Sequence, residues 1–152
     1  MAEDLLVKVK LIHKDAELPA QALPGDAGHD IKCTYWKREQ GKTFIDRWLP
    51  VYTYHTGIKL EIPETHWGML AARSSISKIA AWLANGLGVI EPTYRGEIIF
   101  KFRTFGKPPY QKGDRVGQII YLRRYKARHR DVGNKELSQT ERGEGGFGST
   151  GR

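Results

Sequence analysis

Cysteine is almost absent: Cys33 is the only one in 152 residues, so no intrachain disulfide can form, and a reducing compartment is expected. No run approaches the roughly 18 apolar residues of a membrane span, and Met1 to Asp4 lack the basic start and apolar stretch of a signal peptide. A soluble, unexported protein is therefore expected, cytoplasmic or nuclear, or in the host cytoplasm if the source is viral. Acidic residues are the minority, 17 against 25 Lys and Arg, for a formal net charge of +8. That excess favours anionic partners, among them nucleic acids, acidic lipid surfaces and small polyphosphates, without choosing between them. A strand-helix alternation is also missing, which disfavours a doubly wound sheet. No internal repeat and no linker divides the chain, and its length predicts one domain burying about 68–70% of the surface of the unfolded chain.

What is present is a series of short apolar or alternating runs separated by Gly, Pro and charged turns. Strands are expected at Leu5–Ile12, Gly28–Thr34, Val51–Glu61, His66–Ala71, Glu97–Phe105 and Val116–Arg123, with β-branched or aromatic residues near period two in the third and fifth. Turn chemistry lies between them, as at Pro24-Gly25-Asp26, Pro63-Glu64, Pro108-Pro109 and Gly113-Asp114. Only Ser75–Ala84 reads as a helix, with Ser-rich capping positions, Ile76, Ile79, Ala80 and Leu83 on one face, and a stop before Asn85-Gly86. The pattern predicts an all-β barrel or sandwich over 1–133 and a Gly-rich, polar arm over 134–152. Phe147 is the arm's single large apolar side chain and needs a surface outside the arm to pack on.

Five segments carry candidate chemistry. The end of the chain, Arg142 to Arg152, joins an arginine suited to bidentate phosphate contact, glycine amides at Gly146 and its neighbours that allow close approach, an aromatic plate at Phe147, and the hydroxyls of Ser149 and Thr150. Those groups suit a phosphate-and-base ligand, although a solvated Gly-rich tail has the same composition. Asn85 to Gly96 places Glu91 between the apolar Gly88-Val89-Ile90 and a Pro92-Thr93 turn followed by Tyr94, which suits a carboxylate base in a hairpin pocket or an ordinary hairpin with an exposed Glu. Asp30, in Ala27-Gly28-His29-Asp30-Ile31, suits a metal-bound water or a turn. Arg73-Ser74-Ser75 offers a cation and two hydroxyls to phosphate, or a plain N-cap. The last segment is Gly113-Asp114-Arg115-Val116-Gly117-Gln118.

In this order the five segments resemble the five motifs of the trimeric dUTP diphosphatase (dUTPase) family, over Ala27 to Gly151. The resemblance implies a jelly-roll-like β-barrel, a homotrimer with active sites at subunit interfaces, and a C-terminal arm reaching over a neighbouring subunit's site. It also implies hydrolysis of dUTP to dUMP and pyrophosphate with Mg²⁺, by in-line water attack on the α-phosphorus, which limits uracil in DNA and supplies dUMP. Carried over by motif, Asp30 orients waters on Mg²⁺. Arg73, Ser74 and Ser75 hold phosphate oxygens, and Gln118 braces that side. Asn85 and the backbone of Gly88, Val89 and Ile90 read the uracil edge, Tyr94 packs on the deoxyribose, and Phe147 stacks on uracil. Arg142, Gly146, Ser149 and Thr150 close over the β- and γ-phosphates, and Glu91 occupies the place of the water-activating carboxylate.

Glu91 is a departure, because the family has Asp there. Base strength is nearly unchanged, but one added methylene moves the oxygens by about 1 Å, a displacement that can cost on the order of 10²-fold in rate. Two alternatives follow. The dCTP deaminase branch of the superfamily also has Pro after its acidic residue, as at Glu91-Pro92, but needs a catalytic Glu where alignment puts Lys101. A regulatory or nucleic-acid-binding protein with weak catalysis is the other, motivated by Glu91 and by the basic run of Arg123, Arg124, Lys126, Arg128 and Arg130, which also reads as a solvated strand end. Cys33 and the five histidines show no ligand spacing, and Trp36, Trp48, Trp67 and Trp82 read as core or interface packing.

Overall fold

A computed structural model describes residues 4–41 and 43–146. Among these described residues nine strands occur in chain order: β1 (Lys8–Leu11), β2 (Gly28–Lys32), β3 (Tyr35–Arg38), β4 (Val51–Glu61), β5 (His66–Ala71), β6 (Ala81–Leu83), β7 (Gly88–Ile90), β8 (Glu97–Thr104) and β9 (Arg115–Arg123). They form two antiparallel sheets. In one, β1 and β3 both pair with β4, followed by β8 and β6; the other has the order β2-β9-β5-β7. The sheets face each other in a jelly-roll-like sandwich and do not close into a barrel, which corrects that part of the expectation.

Period two makes the core. Along β8, Ile98, Phe100, Phe102 and Thr104 are buried while Lys101 is exposed. Their inner face meets Ile31, Leu70, Val116 and Ile119 from the other sheet, and Tyr54, Phe100 and Phe102 are fully sealed. Burying each of these aromatics stabilises the fold by about 1.5–3 kcal/mol. The two sheets approach closely at Gly117, where a Cβ would lie 2.2 Å from the Phe100 ring. That contact explains a glycine in the middle of β9.

The expected helix at Ser75–Ala84 is not there. A 3-10 turn spans Ser74–Lys78, Ile79 is extended, and Ala81–Leu83 is β6, paired with β8. Tertiary pairing wins over local helical patterning, because β6 fills the edge beside β8 and buries Leu83. The serines do not cap this turn with their side chains. Among the described residues the other helical element is one α-turn, α1 (Ile45–Trp48). Val51–Glu61 and His66–Ala71 match expectation residue for residue, whereas the short strands β3, β6 and β7 were not anticipated. Of the tryptophans, Trp36 is half-buried and packs against the core, Trp67 is half-buried, and Trp48 and Trp82 are exposed.

Beyond Arg123 no strand follows among the described residues. Tyr125 and Leu137 are exposed, and among the described residues the hydrogen bonds of 125–146 stay within that segment, as from Lys135 N–H to the Val132 carbonyl.

Candidate functional site

Strand register assembles the first half of the site. Asp30 on the edge strand β2 lies opposite Gln118 on β9, and Gln118 lies opposite Ala71 at the end of β5. The chain leaves β5 through Ala72 into Arg73 and Ser74, so three distant segments meet in one row. Asp30 Oδ1 accepts a hydrogen bond from Arg73 Nε at 2.9 Å, and Oδ2 accepts one from Arg115 Nη1 at 3.0 Å. The carboxylate is 14% exposed and Arg73 25%, which makes this pairing far less screened than a surface ion pair. Gln118 Nε2 donates to the Ala72 carbonyl at 3.1 Å and so fixes the backbone just before Arg73. Gly28 makes room for this, since a Cβ there would lie 1.9 Å from Gln118 Oε1.

These groups line one cavity of about 360 Å³ that includes Asp26, Gly28, Asp30, Arg73, Ser74 and Gln118. Its size falls within the usual range for small-molecule sites. Arg73 spends only Nε on Asp30, and its terminal nitrogens have no partner among the described residues. Ser74 is exposed and Ser75 half-buried in the 3-10 turn. A charged, bidentate donor beside hydroxyls and a backbone turn suits a phosphate group.

The second half lies elsewhere. Asn85 and Gly86, the latter at φ +72°, turn the chain from one sheet into the other, where β7 forms the far edge beside β5. Gly88 is buried with the Leu70 side chain 3.0 Å from where its Cβ would be, Val89 is exposed and Ile90 is buried. Glu91 follows directly, exposed, and its carboxylate has no hydrogen bond or ion pair among the described residues. The turn is held by Tyr94 N–H donating to the Glu91 carbonyl at 3.0 Å, and by Arg95 Nη1 donating to the Pro92 and Tyr94 carbonyls at 2.6 and 3.0 Å. Tyr94 lies across Gly96, where a Cβ would clash at 2.2 Å, and donates its hydroxyl to the Glu97 carbonyl at 3.1 Å. Glu91 stands three strands across and four residues along from Asp30, a separation of roughly 20 Å within one chain.

The structure thus brings together Asp30, Arg73, Ser74 and Gln118 on one cavity, which Asn85, Gly88, Val89, Ile90, Glu91 and Tyr94 do not line. Arg142 and Gly146 are exposed on the arm, and Phe147, Ser149 and Thr150 lie outside the described residues. Two contributors went unassigned from sequence, Arg115 and Arg95. Arg115 lies within a recognised segment, but plain alternation would put it on the face opposite Gln118. A β-bulge changes that: Ile31 pairs with Gly117 and Lys32 with Arg115, so Val116 is the extra residue and Arg115 joins the face of Lys32 and Asp30. Arg124 is taken up structurally, its Nε donating to the Glu64 carbonyl at 2.7 Å. Lys101, which stands where a deaminase needs Glu, is an exposed lysine paired with Glu39 at 3.2 Å on the other sheet.

A family model described as dUTPase matches residues 14–151. The deoxyuridine 5'-triphosphate nucleotidohydrolase of Desulfitobacterium hafniense is 35% identical over 158 residues, covering 95% of each chain. That of Alkaliphilus metalliredigens is 37% identical over 148 residues, covering 95% of this chain and 96% of that one. Among solved structures, the dUTPase of Staphylococcus bacteriophage 80alpha with dUpNHpp superposes with a TM-score of 0.74 at 24% identity, covering 97% of this chain and 99% of the other. The dUTPase of phage phi11 of S. aureus gives 0.61 at 18% identity, covering 92% and 99%. At these identities the structural likeness is one of fold.

Proposed function

The chain belongs to the dUTPase family, and we propose that it hydrolyses dUTP to dUMP and pyrophosphate at a site completed by neighbouring copies of the same chain. The observation that carries this reading is the single cavity shared by Asp30, Arg73, Ser74 and Gln118, with an arginine whose terminal nitrogens are uncommitted. Relatives named for this activity match along nearly their whole length.

The reaction requires a water to attack the α-phosphorus in line with the leaving pyrophosphate. The new bond joins the water oxygen to phosphorus, the α–β bridging bond breaks, and the bridging oxygen leaves with pyrophosphate. Arg73 and Ser74 would neutralise and align the phosphates, and Glu91 would take the proton from water. Asn85 and the Gly88–Ile90 backbone would read the base, Tyr94 would pack on the sugar, and Phe147 would cover the uracil. Glu91 is roughly 20 Å from Asp30 in its own chain, so a homotrimer that sets the hairpin of one subunit against the cavity of another satisfies the chemistry where a monomer does not. The arm, whose hydrogen bonds among the described residues stay within 125–146, would then cross to a neighbour in the same assembly.

The residues also fit Mg²⁺ in a specific sense. Both oxygens of Asp30 already accept from arginine, and no cluster of three or more His, Cys, Asp or Glu stands ready for a cation among the described residues. This donor set suits a hydrated ion carried by the phosphates, with Asp30 accepting from its waters. When bound, the ion supplies further neutralisation of phosphate charge. A structural Mg(II) ion is described in a dUTPase of phage phi11.

The test is pyrophosphate release from dUTP, UTP, dTTP and dCTP, with and without Mg²⁺, alongside a chain ending at Gly146. Mg²⁺-dependent release that is selective for dUTP and lost on truncation is expected. Equal release from all four nucleotides, or none from dUTP, would overturn the reading.

A further inference from the structure

Asp30 presents a charge problem for the reading above. A carboxylate 2.9 Å from Arg73 cancels the cation that a polyphosphate needs, and a neutral pair would sit at the mouth of a phosphate cavity. We propose that Arg115 is a positioning residue that resolves this conflict: it binds the second oxygen of Asp30 and so leaves the charge of Arg73 available to the substrate phosphates.

Three observations support the assignment. Asp30 divides its oxygens evenly, Oδ1 to Arg73 Nε and Oδ2 to Arg115 Nη1, so the group of three carries a net charge of +1 rather than zero. Arg115 does not line the cavity that holds Arg73, Ser74 and Gln118. It lines an adjoining hollow of about 370 Å³ with Glu17 and Lys32, and Asp30 forms part of both walls. Arg115 therefore reaches the phosphate site through Asp30. Lys32 cannot substitute for it, because its ammonium is held by Glu17 at 2.8 and 2.9 Å. The bulge at Val116 is the local device: without it the residue opposite Lys32 would be a valine, and Asp30 would have Arg73 alone.

The inference rests on Arg73 binding phosphate, and the experiment separates the two claims. Binding of the non-hydrolysable dUpNHpp with Mg²⁺ is measured by calorimetry for the full chain, Arg115→Gln, Arg115→Lys, Asp30→Asn and the Asp30→Asn/Arg115→Gln double variant, with thermal melts beside each. Arg115→Gln is expected to weaken binding at least about tenfold, close to 1.4 kcal/mol, and to raise KM for dUTP by a similar factor with kcat within about threefold. Arg115→Lys, which keeps the charge, restores most of the affinity. In the Asp30→Asn background, where no carboxylate draws on Arg73, adding Arg115→Gln changes affinity by less than about twofold. Comparing two variants that both lack the carboxylate keeps this outcome readable even if Arg115→Gln alone melts early. An equal loss in both backgrounds means that Arg115 touches the nucleotide itself and overturns the positioning role, as does an Arg115→Gln protein with unchanged affinity. If Arg73→Gln binds dUpNHpp as the full chain does, the phosphate role of Arg73 is wrong and the inference falls with it.

Discussion

Gly28 lies directly beneath the Gln118 side chain: a Cβ at 28 would stand 1.9 Å from Oε1 and 2.9 Å from Cδ. The other end of the same amide donates to the Ala72 carbonyl at 3.1 Å, so β2, β9 and the approach to Arg73 are locked together by one side chain. Gly28→Ala must push Gln118 off Ala72. It is expected to cost about 1–3 kcal/mol in stability and to raise KM for dUTP. Chemical denaturation of Gly28→Ala, Gln118→Ala and the double variant checks this. The close-approach argument fails if the Gly28 substitution is as costly in the Gln118→Ala background, where the obstructing amide is gone.

Glu91→Gln is expected to lower kcat by about 10²–10⁴-fold with little change in dUpNHpp binding, as for loss of a general base. Glu91→Asp tests reach. If the added methylene misplaces the carboxylate by about 1 Å, shortening it raises kcat, by up to on the order of 10²-fold. Full hydrolysis by Glu91→Gln would remove this residue from the mechanism.

The proposed sharing of the site between subunits predicts complementation. Arg73→Ala and Glu91→Gln proteins, each inactive alone, should regain about a quarter of full activity when denatured together and refolded as mixed trimers, because some interfaces then pair an intact Arg73 with an intact Glu91. A site contained within one chain gives no recovery, and that result would remove the shared-site proposal.

Cys33 is buried, with its Sγ 3.0 Å from the Gln111 carbonyl, and burial pushes its thiol above the ordinary range. The folded protein should therefore resist thiol reagents at pH 8 and react only on unfolding. Rapid labelling with no loss of structure would contradict the packing described for this residue.

Asp46 is held below its ordinary value of 3.8 by hydrogen bonds from the Thr43 hydroxyl and N–H, and then by Arg103. A carboxylate depressed in the folded state adds stability above its unfolded value, and that contribution disappears as pH falls through the folded one. Asp46→Asn should accordingly lower the melting temperature at pH 6, with the gap to the parent narrowing once pH drops below 3.8. A gap constant down to pH 2 would show that charge is not the cause.

Much of the molecule was determined by sequence alone. The bounds of β4 and β5 were legible to the residue because each is an apolar or alternating run closed off by turn residues, Pro50 before β4 and Pro63-Glu64 between the two. Asp30, Arg73, Glu91, Tyr94 and Gln118 were singled out by the order of the motifs that contain them, and the structure brings Asp30, Arg73 and Gln118 to one cavity. The segment 75–84 was misread because its apolar spacing suits a helix as well as an edge strand, and only the empty place beside β8 decides between them. Tertiary structure also decided what the site is made of. Strand order set Glu91 roughly 20 Å from Asp30 within the chain, which is the reason the proposed site draws on neighbouring copies. A single bulge at Val116 turned Arg115 toward Asp30, because an inserted residue reverses the face of every side chain beyond it, and nothing local in the sequence marks where that insertion falls.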